Sequence, residues 1–492
     1  MTDHAAQLAP EAASPVSIFI DGHWRAAVGG GAVDVRAPSD DSVFARIADG
    51  GEADVNAAVD AARRAFEAGE WSRLSAVERG RLLMRLGERI QENAEELAQL
   101  ESRDTGKPLK QGRADMVAAA RYFEYYGAAA DKVHGDTVPF ANGYTVMTLR
   151  EPYGVTAHIT PWNYPAQMFG RSLAPSLAMG NAVILKPAEE ACMTPIRLTE
   201  LAAEVGFPPG ALNLVTGLGE SAGAALAGHP GIDFLSFTGS PEVGTLVQQA
   251  TARNHVGCVL ELGGKSPQIV FEDADFDAVL PVVTNAIVQN AGQTCSAGSR
   301  VLIQESIYES FIERLRERFE GLVTAPHADD ADCGPLISRD QQQRVQRFLK
   351  SALDDGVPVL AQGRLAENAP EAGYYVPPTL LGPVPREHRI AREEVFGPVL
   401  CAIPFSDEAD AVRAANGTDY GLVAGIWTRD GARQMRLARR VRAGQVFVNG
   451  YGAGGGIELP FGGMKKSGHG REKGFEALHE FSVIKTVVLN HG

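Results

Sequence analysis

The run Ala182-Val183-Ile184-Leu185-Lys186 decides the predicted fold, because it is a short apolar segment with the composition of a β-strand and it ends in turn residues. Three similar runs precede and follow it, at residues 155–159, 212–215 and 234–237. Helical stretches such as 194–205 separate these runs. Strands and helices that alternate in this way predict right-handed βαβ units on a parallel sheet, an architecture that binds nucleotides at the carboxyl ends of its strands.

A second series of short strands follows Gly263. Its β-rich runs lie near residues 267–271, 300–304, 358–361, 399–404, 422–427 and 445–448. Before the first series, residues 53–69 and 77–101 repeat apolar side chains at helical spacing. A chain of 492 residues exceeds what one hydrophobic core usually supports, so we expect two α/β domains. The segments 134–151 and 479–490 alternate like strands outside both series, and such strands can pair with a neighbouring subunit.

The composition favours a globular enzyme over a nucleic-acid-binding protein. Hydrophobic residues make up 45% of the chain, which is enough to bury large cores. Lys and Arg number 46 against 61 Asp and Glu, a formal net charge of −15, and no basic block offers a footprint for phosphates. No apolar run approaches the roughly 18 residues of a membrane-spanning helix. We therefore expect neither a nucleic-acid partner nor a membrane partner.

Five cysteines are scattered along the chain without a CxxC pair: Cys192, Cys258, Cys295, Cys333 and Cys401. An odd number at wide spacing indicates reduced thiols rather than a disulfide frame or a zinc site, so no metal is expected. Residues 1–15, rich in Ala, Pro and Ser, predict a flexible N-terminal arm. No Lys or Arg precedes Arg25 and no apolar h-region is present, which disfavours a signal or transit peptide and leads us to expect a cytoplasmic location.

Cys295 and Glu261 are the candidate pair for covalent chemistry. Cys295 lies among small and polar residues in the run 290–300, and Glu261 begins the run Glu261-Leu262-Gly263-Gly264. Cysteine is already partly thiolate near neutral pH, and a separate carboxylate is suited to activating water, so the two residue types together fit acyl transfer. A lone cysteine is also commonly a small buried hydrophobe, and the local run does not decide between the two interpretations.

Two glycine-rich segments match nucleotide-binding loops to different degrees. Residues 216–223 nearly spell the dinucleotide fingerprint, but their glycine spacing is one residue too long, and we interpret them as a turn that leads into a helix. Residues 237–244 follow a predicted strand and open a helix with Pro241 in its first turn. Backbone N–H groups there can meet a pyrophosphate, and a plain helix cap is the alternative.

Seven motifs taken together resemble the aldehyde dehydrogenase superfamily. They occur in the order and spacing of that family: Thr160-Pro161-Trp162-Asn163, Lys186-Pro187-Ala188-Glu189, Phe237 to Gly244, Glu261-Leu262-Gly263-Gly264-Lys265, Gly292-Gln293-Thr294-Cys295, Glu394-Val395-Phe396-Gly397-Pro398 and Pro460-Phe461-Gly462-Gly463. The resemblance covers nearly the whole chain beyond residue 15. It indicates the non-acylating, NAD(P)-dependent type, similar to betaine-aldehyde or semialdehyde dehydrogenases, and leaves the subfamily open.

The resemblance implies an α/β fold with a Rossmann-like NAD-binding domain, a second α/β catalytic domain and a small β oligomerisation element. The implied boundaries are 16–133 and 152–261 for the NAD-binding domain, and 262–478 for the catalytic domain. Residues 134–151 and 479–492 form the oligomerisation element. A homodimer or a homotetramer is the implied assembly.

Cys295 matches the nucleophile of the family, which implies attack on an aldehyde carbonyl and a thiohemiacetal. The donors to its oxyanion are the side-chain amide of Asn163, for which a helix N-cap is the alternative, and the backbone N–H of Cys295. After hydride has passed to the nicotinamide, Glu261 activates the water that hydrolyses the thioester, unless it is a carboxylate paired with a lysine. Relatives that pass the acyl group to coenzyme A lack a carboxylate at this position, so we expect hydrolysis.

The cofactor assignment rests on Lys186 and Glu189, which match family residues near the adenine ribose, and the resemblance also counts Lys186 among the catalytic residues. A carboxylate at Glu189 accepts hydrogen bonds from ribose hydroxyls and repels a 2′-phosphate, so NAD is expected over NADP. A solvated surface pair is the alternative for both side chains. The other cofactor-binding residues implied by the resemblance are Trp162, Gly239, Ser240, Gly244, Glu394 at the nicotinamide ribose and Phe396 near the ring.

The substrate is expected to be an aldehyde whose class depends on Arg171. Many relatives carry an aromatic residue at this position of the substrate tunnel, and the wall segment 451–458 is glycine-rich where relatives often supply bulky aromatics. We therefore expect a wide pocket, with Thr294 and Ser296 at its wall, that prefers polar or anionic aldehydes such as semialdehydes, with Arg171 pairing a distal carboxylate. The alternative is an arginine folded onto an acidic neighbour. Glu472 matches a family acid sometimes given a proton-relay role, and a plain salt bridge is its alternative.

Two rival functions use the same fold. A thioesterase or esterase needs Cys295 and Glu261 but no dinucleotide, so the cofactor motifs disfavour it. A non-catalytic scaffold can lose the thiol or the base, and this chain keeps both.

Overall fold

The computed structural model describes residues 17–452 and 456–492, and the predicted arm at 1–15 lies outside them. The described strands are β1 (Ile18–Ile20), β2 (His23–Arg25), β3 (Gly31–Arg36), β4 (Val43–Asp49), β5 (Thr137–Val138), β6 (Tyr144–Pro152), β7 (Val155–Thr160), β8 (Ala182–Pro187), β9 (Leu212–Leu214), β10 (Phe234–Thr238), β11 (Gly257–Glu261), β12 (Pro267–Val270), β13 (Arg300–Gln304), β14 (Val323–Thr324), β15 (Val359–Gln362), β16 (Arg364–Leu365), β17 (Thr379–Leu381), β18 (Val399–Phe405), β19 (Val423–Trp427), β20 (Gln445–Val448), β21 (Gly468–His469) and β22 (Ser482–Asn490).

The described α-helices are α1 (Glu52–Glu67), α2 (Glu70–Arg73), α3 (Ala76–Glu92), α4 (Ala94–Thr105), α5 (Leu109–Ala129), α6 (Pro165–Met179), α7 (Met193–Glu204), α8 (Ala224–Ala227), α9 (Pro241–Ala252), α10 (Phe276–Val288), α11 (Tyr308–Gly321), α12 (Arg339–Asp354), α13 (Arg389–Arg392), α14 (Glu408–Asn416), α15 (Gly431–Arg440) and α16 (Glu476–Glu480). Among the residues described, no helix combines the length and the apolar character needed to cross a membrane.

The first large sheet confirms the predicted parallel core. Its order is β2-β1-β9-β8-β7-β10-β11-β21, with β9, β8, β7, β10 and β11 parallel and antiparallel strands at both edges. The four predicted runs are β7, β8, β9 and β10, and the predicted helix at 194–205 is α7. Every residue of β8 is buried, as in a strand covered on both faces by helices.

Helix α6 connects β7 to β8 and is almost entirely buried. Pro165 in its first turn fixes a helical φ at the start, and Gly180 ends the helix in the left-handed region with φ 98°. All of its residues except Gln167 are buried. Arg171, in the middle of this helix, is therefore a buried cation.

The second large sheet has the order β15-β17-β18-β13-β12-β19-β20, with β15 antiparallel at one edge and the other neighbours parallel. The strands predicted after Gly263 are confirmed as β12, β13, β15, β18, β19 and β20. Strand β17 was not predicted, because three residues directly after two prolines make too short a pattern. This sheet packs a large hydrophobic cluster of its own, separate from that of the first sheet. The exact domain boundaries stay a prediction.

The segments predicted to be strand-like outside both cores form a third sheet of order β22-β6-β5. Strands β6 and β22 pair with each other over nine residues, from Ser482 opposite Pro152 to Asn490 opposite Tyr144. Their predicted pairing with a second subunit stays a prediction.

The helix predicted at 53–69 is confirmed as α1, whereas the single helix predicted at 77–101 is wrong. It is two helices, α3 and α4, which meet at Asn93. The backbone of Asn93 leaves the helical region at φ −106° and ψ 16°, and its side-chain Nδ2 donates to the carbonyl of Arg89 at 2.7 Å. The apolar spacing continues across this break because both helices pack on α5.

Candidate active site

Cys295 lies on a sharply turned loop between α10 and β13. The loop begins in the left-handed region, with φ 49° at Asn290, 53° at Ala291 and 71° at Gly292. A Cβ at Gly292 would overlap the carbonyl oxygen of Gly397, so only glycine lets the loop pass this close. The turn leaves Cys295 half-buried, where it lines two separate cavities.

Glu261 ends β11 at the carboxyl edge of the first sheet, and the two glycines near it permit close contacts. A Cβ at Gly264 would overlap the carbonyl oxygen of Cys295, and one at Gly263 would overlap the carboxylate of Glu394. The Glu-Leu-Gly-Gly motif therefore brings the base, the thiol and Glu394 to one place. Both carboxylate oxygens of Glu261 are buried; Oε2 forms an ion pair with Arg171 Nη2 at 3.3 Å, and Oε1 accepts no hydrogen bond from the described residues.

One cavity, of about 310 Å³, is lined by both Cys295 and Glu261. Five residues that the sequence assigns to the cofactor line it too: Trp162, Gly239, Ser240, Glu394 and Phe396. The segment predicted to open a helix after a strand is confirmed, since β10 leads into α9 and the Ser240 hydroxyl accepts from the backbone N–H of Val243 at 3.3 Å. Gly244 lies outside the cavity wall, where a Cβ would come 2.6 Å from the Leu262 side chain.

Glu394 and Phe396 line this cavity, the first held through its side chain and the second through its backbone. Glu394 Oε1 accepts from the backbone N–H of Gly264 at 2.9 Å, and burial raises the pKa of Glu394 to about 7. Phe396 has φ 58°, and Gln341 Nε2 donates to its carbonyl at 2.6 Å. Its ring meets that of Trp162 edge-on, with 5.4 Å between centroids. The two rings form an aromatic wall beside Cys295.

Lys186 and Glu189 lie at the end of β8, outside that cavity wall. Lys186 Nζ contacts Glu189 Oε2 at 2.7 Å, and Glu189 Oε1 also accepts from the backbone N–H of Gly219 at 3.3 Å. Lys186 is buried, so the pair is not the solvated surface pair considered as an alternative. Gly219 belongs to the segment interpreted as a turn leading into a helix, and Gly219–Gly223 is a π-helical turn directly before α8.

Asn163 is buried beside the loop of Cys295 and does not cap α6. The N-cap of that helix is Tyr164, which makes no side-chain capping bond. Asn163 Nδ2 instead donates to the carbonyl of Gln293 at 2.9 Å, two residues before Cys295. The geometry places this amide next to the thiol loop, and its role as an oxyanion donor stays a prediction.

Burial shapes the acid–base properties of the thiol and the carboxyl. It raises the pKa of Cys295 to about 12, while the nearby Arg171 lowers it. It also raises the pKa of Glu261 well above its ordinary value, again against the effect of Arg171. The thiol is therefore protonated at neutral pH until a base removes its proton.

The second cavity, of about 260 Å³, reaches Cys295 from the other side. Thr294, Ser296 and Arg171 line it, as do the amide side chains of Gln167, Asn285 and Gln289. Tyr451, from the glycine-rich wall segment, donates to the carbonyl of Ser296 at 2.6 Å. Residues 453–455 of that segment lie outside the described residues. The cavity is thus partly polar, with Arg171 as its charged side chain.

The expectation that Arg171 offers an open guanidinium to an anionic substrate is wrong. Arg171 is 4% exposed and forms ion pairs with two buried carboxylates, through Nη2 with Glu261 at 3.3 Å and through Nε with Glu472. The alternative, an arginine folded onto acidic neighbours, is what the structure contains. Glu472 is fully buried in this cluster, and Glu261 pairs with an arginine rather than with a lysine.

A buried cluster behind Asn163 was not predicted from the sequence. Lys107, which is 1% exposed, contacts Glu101 at 2.9 Å and Asp115 at 2.5 Å, and its Nζ also donates to the carbonyl of Asn163 at 3.1 Å. The one local sign in the sequence was that Lys107 lies between Gly106 and Pro108, residues that are typical of the end of a helix and do not indicate burial. Asn290 Nδ2 donates to the same carbonyl at 2.9 Å, so two donors hold the backbone of Asn163.

Comparison with known proteins gives a consistent match. The model of the aldehyde dehydrogenase family matches residues 24–487. A curated betaine aldehyde dehydrogenase from Bacillus subtilis is 39% identical over 480 residues, which cover 96% of this chain and 97% of that protein.

Two solved structures have the same fold over nearly the full length. A putative aldehyde dehydrogenase from Burkholderia cenocepacia is 62% identical, with a TM-score of 0.96 and coverage of 97% of this chain and 100% of the other. A betaine aldehyde dehydrogenase from Staphylococcus aureus, in complex with NAD+, is 36% identical, with a TM-score of 0.94 and coverage of 97% and 95%.

Proposed function

This chain belongs to the aldehyde dehydrogenase family, and on that basis we propose that it oxidises an aldehyde to a carboxylic acid with NAD as the hydride acceptor. The observation that carries the proposal is the position of Cys295, which lines both cavities. A thiol at this junction can meet an aldehyde from the polar cavity and a nicotinamide from the aromatic one. Glu261 lines the second of these cavities and supplies a base.

The first covalent step forms a bond between Cys295 Sγ and the carbonyl carbon of the aldehyde, and the carbonyl electron pair moves to oxygen. Because burial keeps the thiol protonated, a base must take its proton, and Glu261 is the carboxylate we assign to this role. Glu261 passes this proton on to solvent before hydrolysis begins, so that it is again an anion when water arrives. Asn163 Nδ2 and the backbone N–H of Cys295 donate to the oxyanion. Loss of one such donor typically lowers the rate by a factor of about 100 to 1,000.

The residues around the 310 Å³ cavity fit a dinucleotide. Helix α9 directs backbone N–H groups and the positive end of its dipole into the cavity, which suits a pyrophosphate. The Glu394 carboxylate can accept hydrogen bonds from ribose hydroxyls, and the rings of Trp162 and Phe396 offer flat surface to a nicotinamide. When bound, NAD supplies a hydride acceptor. Collapse of the thiohemiacetal with loss of hydride leaves a thioester on Cys295.

Hydrolysis then restores the thiol. Glu261 accepts a proton from water, the water oxygen bonds to the acyl carbon, and the carbon–sulfur bond breaks. The proton held by Glu261 then passes to the departing sulfur. The products are a carboxylic acid and a free Cys295 side chain. Oε1 of Glu261 can serve this step, since it accepts no hydrogen bond from the described residues, whereas Oε2 pairs with Arg171.

Preference for NAD over NADP rests on Glu189 at the end of β8. Its carboxylate is held by Lys186 and by the backbone N–H of Gly219, and both contacts lower the pKa of Glu189, so it stays an anion at neutral pH. An anion there accepts hydrogen bonds from ribose hydroxyls and repels a 2′-phosphate.

The experiment that tests the reaction follows NADH formation by absorbance when the protein is mixed with NAD and a panel of aldehydes. We expect Cys295→Ala to abolish NADH formation, and Glu261→Gln to give a single burst of NADH and then stop with the acyl group on sulfur. Cys258→Ala is the matched control, because that thiol lies on β11 with Glu261 but lines neither cavity. Steady turnover by Glu261→Gln would assign the base to another residue, and ester cleavage without NADH would indicate a hydrolase.

We propose a neutral, polar aldehyde as the substrate class. The 260 Å³ cavity offers the amide side chains of Gln167, Asn285 and Gln289 to a hydrogen-bonding tail, while its arginine is already neutralised by two carboxylates. The test compares kcat/KM for aldehydes of equal length with hydroxyl, carboxylate and trimethylammonium ends. A clear preference for the carboxylate would restore Arg171 as a substrate contact.

We propose a homodimer or homotetramer assembled through the β22-β6-β5 sheet. Ile484 and Val488 lie on one face of β22 and are 53% and 55% exposed, which suits burial against a second copy. Light scattering should give a dimer or tetramer mass, and Ile484→Lys with Val488→Lys should reduce it. A monomer at assay concentration would contradict the proposal.

We propose a cytoplasmic location, supported by the five free thiols. Fractionation of cells that express the protein tests this. Recovery from an oxidising compartment would contradict it.

A further inference from the structure

A buried cluster of three charges lies against the reacting groups. Arg171 on α6 stands between Glu261, at the end of β11, and Glu472, shortly after β21. The three side chains are no more than 5% exposed. The Arg171 guanidinium also lies 4.3 Å above the centre of the Phe461 ring, which covers one face of it.

The cluster spans the junction at which Cys295 lies. Arg171 lines the polar cavity, Glu261 lines the aromatic cavity, and Cys295 lines both. The contact between Arg171 and Glu261 joins the substrate wall directly to the residue assigned to water activation.

Glu472 is the anchored member of the cluster. Its backbone forms a bridge with Phe461, with the N–H of Glu472 donating to the Phe461 carbonyl at 2.8 Å. Its Oε1 accepts from the Ser236 hydroxyl at 3.1 Å. Because Glu472 is fixed on both sides, it holds the Nε edge of the planar guanidinium and directs Nη2 toward Glu261.

The two neighbours act on Glu261 with opposite sign. Arg171 lowers the pKa of Glu261, whereas Glu472 raises it, and burial raises it most. Other titratable groups around the cluster are Tyr122 on α5, Cys295, Arg471 and Lys473. A base must be an anion to take a proton from water, so burial and these two neighbours together set the pH range in which Glu261 works.

We propose that Arg171 is a positioning residue for thioester hydrolysis, which favours the anionic form of Glu261 and fixes the direction of its carboxylate, with Glu472 as its anchor. The inference rests on the proposed function, because it assigns Arg171 to the hydrolytic half of that reaction. It also explains why a cation is compatible with this buried helix: two carboxylates neutralise it.

Two substitutions with opposite charge effects test the proposal. In a plot of hydrolysis rate against pH, the acid limb is the range in which the rate rises as Glu261 loses its proton. Arg171→Met removes the cation, so this limb should move to higher pH by about one to three units. Glu472→Gln removes the competing carboxylate and keeps its shape, so the acid limb should move to lower pH. If Arg171 and Glu472 only supported the fold, their substitutions would leave the acid limb of the pH–rate profile unchanged, or both substitutions would shift it in the same direction.

The assay measures hydrolysis separately from NADH formation. Enzyme is mixed with NAD and an aldehyde that the wild type oxidises, the reaction is quenched at intervals across a pH series, and the acyl group on Cys295 is followed by intact-protein mass spectrometry. The matched control is Arg79→Met, because Arg79 donates to the carbonyls of Leu74 and Ala178 and contacts no carboxylate. Its acid limb should coincide with that of the wild type.

Arg171→Lys gives a second measurement where Arg171→Met does not fold. A lysine keeps the cation but lacks the planar fork that fixes the direction of both contacts, so this variant should hydrolyse the thioester faster than Arg171→Met and more slowly than the wild type. Unchanged acid limbs in Arg171 and Glu472 variants, or shifts of the same sign, overturn the inference. Absence of NADH and of acyl-enzyme in the wild type overturns the proposed function instead.

Discussion

Replacement of Lys107 by methionine removes the charge that holds the backbone of Asn163. Lys107 Nζ contacts Glu101 at 2.9 Å and Asp115 at 2.5 Å inside the protein, and it donates to the Asn163 carbonyl at 3.1 Å. Methionine keeps nearly the same length without the charge. Two buried carboxylates then lose the cation they share. Removing one partner of a buried ion pair is strongly destabilising, because it leaves the other charge buried without compensation.

The expected loss is about 3–5 kcal/mol of unfolding free energy at neutral pH, the usual cost of leaving buried charge without its partner. The loss should depend on pH. Burial raises the pKa of Glu101 to about 7 while Lys107 lowers it, so in Lys107→Met this pKa rises further. A carboxyl whose pKa is higher in the folded protein than in the unfolded chain binds more protons in the folded state. It therefore lowers the free energy of unfolding progressively as the pH rises from the unfolded pKa to the folded pKa. The deficit of the variant should therefore grow above pH 7 and shrink below it.

Urea unfolding followed by tryptophan fluorescence, at about pH 5 and about pH 8 on either side of the Glu101 pKa, measures this deficit. The matched control is Lys350→Met on α12, an exposed lysine that pairs with Asp354 one turn away and should cost no more than about 0.5 kcal/mol. Equal losses for the two variants would refute the account of the buried cluster. A Lys107→Met deficit that does not shrink at the lower pH would refute the part assigned to Glu101.

Two further substitutions test the geometry of the site. Glu189→Gln should lower the ratio of kcat/KM with NAD to kcat/KM with NADP by about tenfold or more, since it removes the charge that repels a 2′-phosphate. An unchanged ratio would show that Glu189 does not contact the cofactor. Gly264→Ala should lower NADH formation by about a hundredfold, because its Cβ overlaps the Cys295 carbonyl and displaces the thiol loop. Gly431→Ala, where a Cβ meets no atom within 4 Å, is its control and should leave the rate unchanged.

Local pattern was enough for the strands that build the site. The run 182–186 is a strand buried on both faces, and such a strand shows as a continuous apolar segment because every side chain packs against a helix. Gly263, Gly264 and Gly292 stood in the motifs that carried the family resemblance. Only the structure shows the reason for them, since a Cβ at each position would overlap a neighbour from another part of the chain.

Other features were invisible for equally physical reasons. The apolar spacing at 77–101 continues across Asn93, because two successive helices bury the same face against α5, so the pattern concealed the break. Strand β17 is too short to show alternation. Lys107 carried no local sign of burial, since its partners Glu101 and Asp115 become neighbours only when α4 and α5 pack together.

The sequence by itself determined the α/β class, the strand series, the family and the identity of the thiol and its acid. Only the tertiary structure decided what Arg171 does. Its residue type suggested a contact with an anionic substrate, whereas the fold surrounds it with Glu261 and Glu472, from segments far apart in the chain. A charge that is removed from water must find its counter-charge nearby in space, and proximity in space is set by how helices and sheets pack, which no local run of residues records.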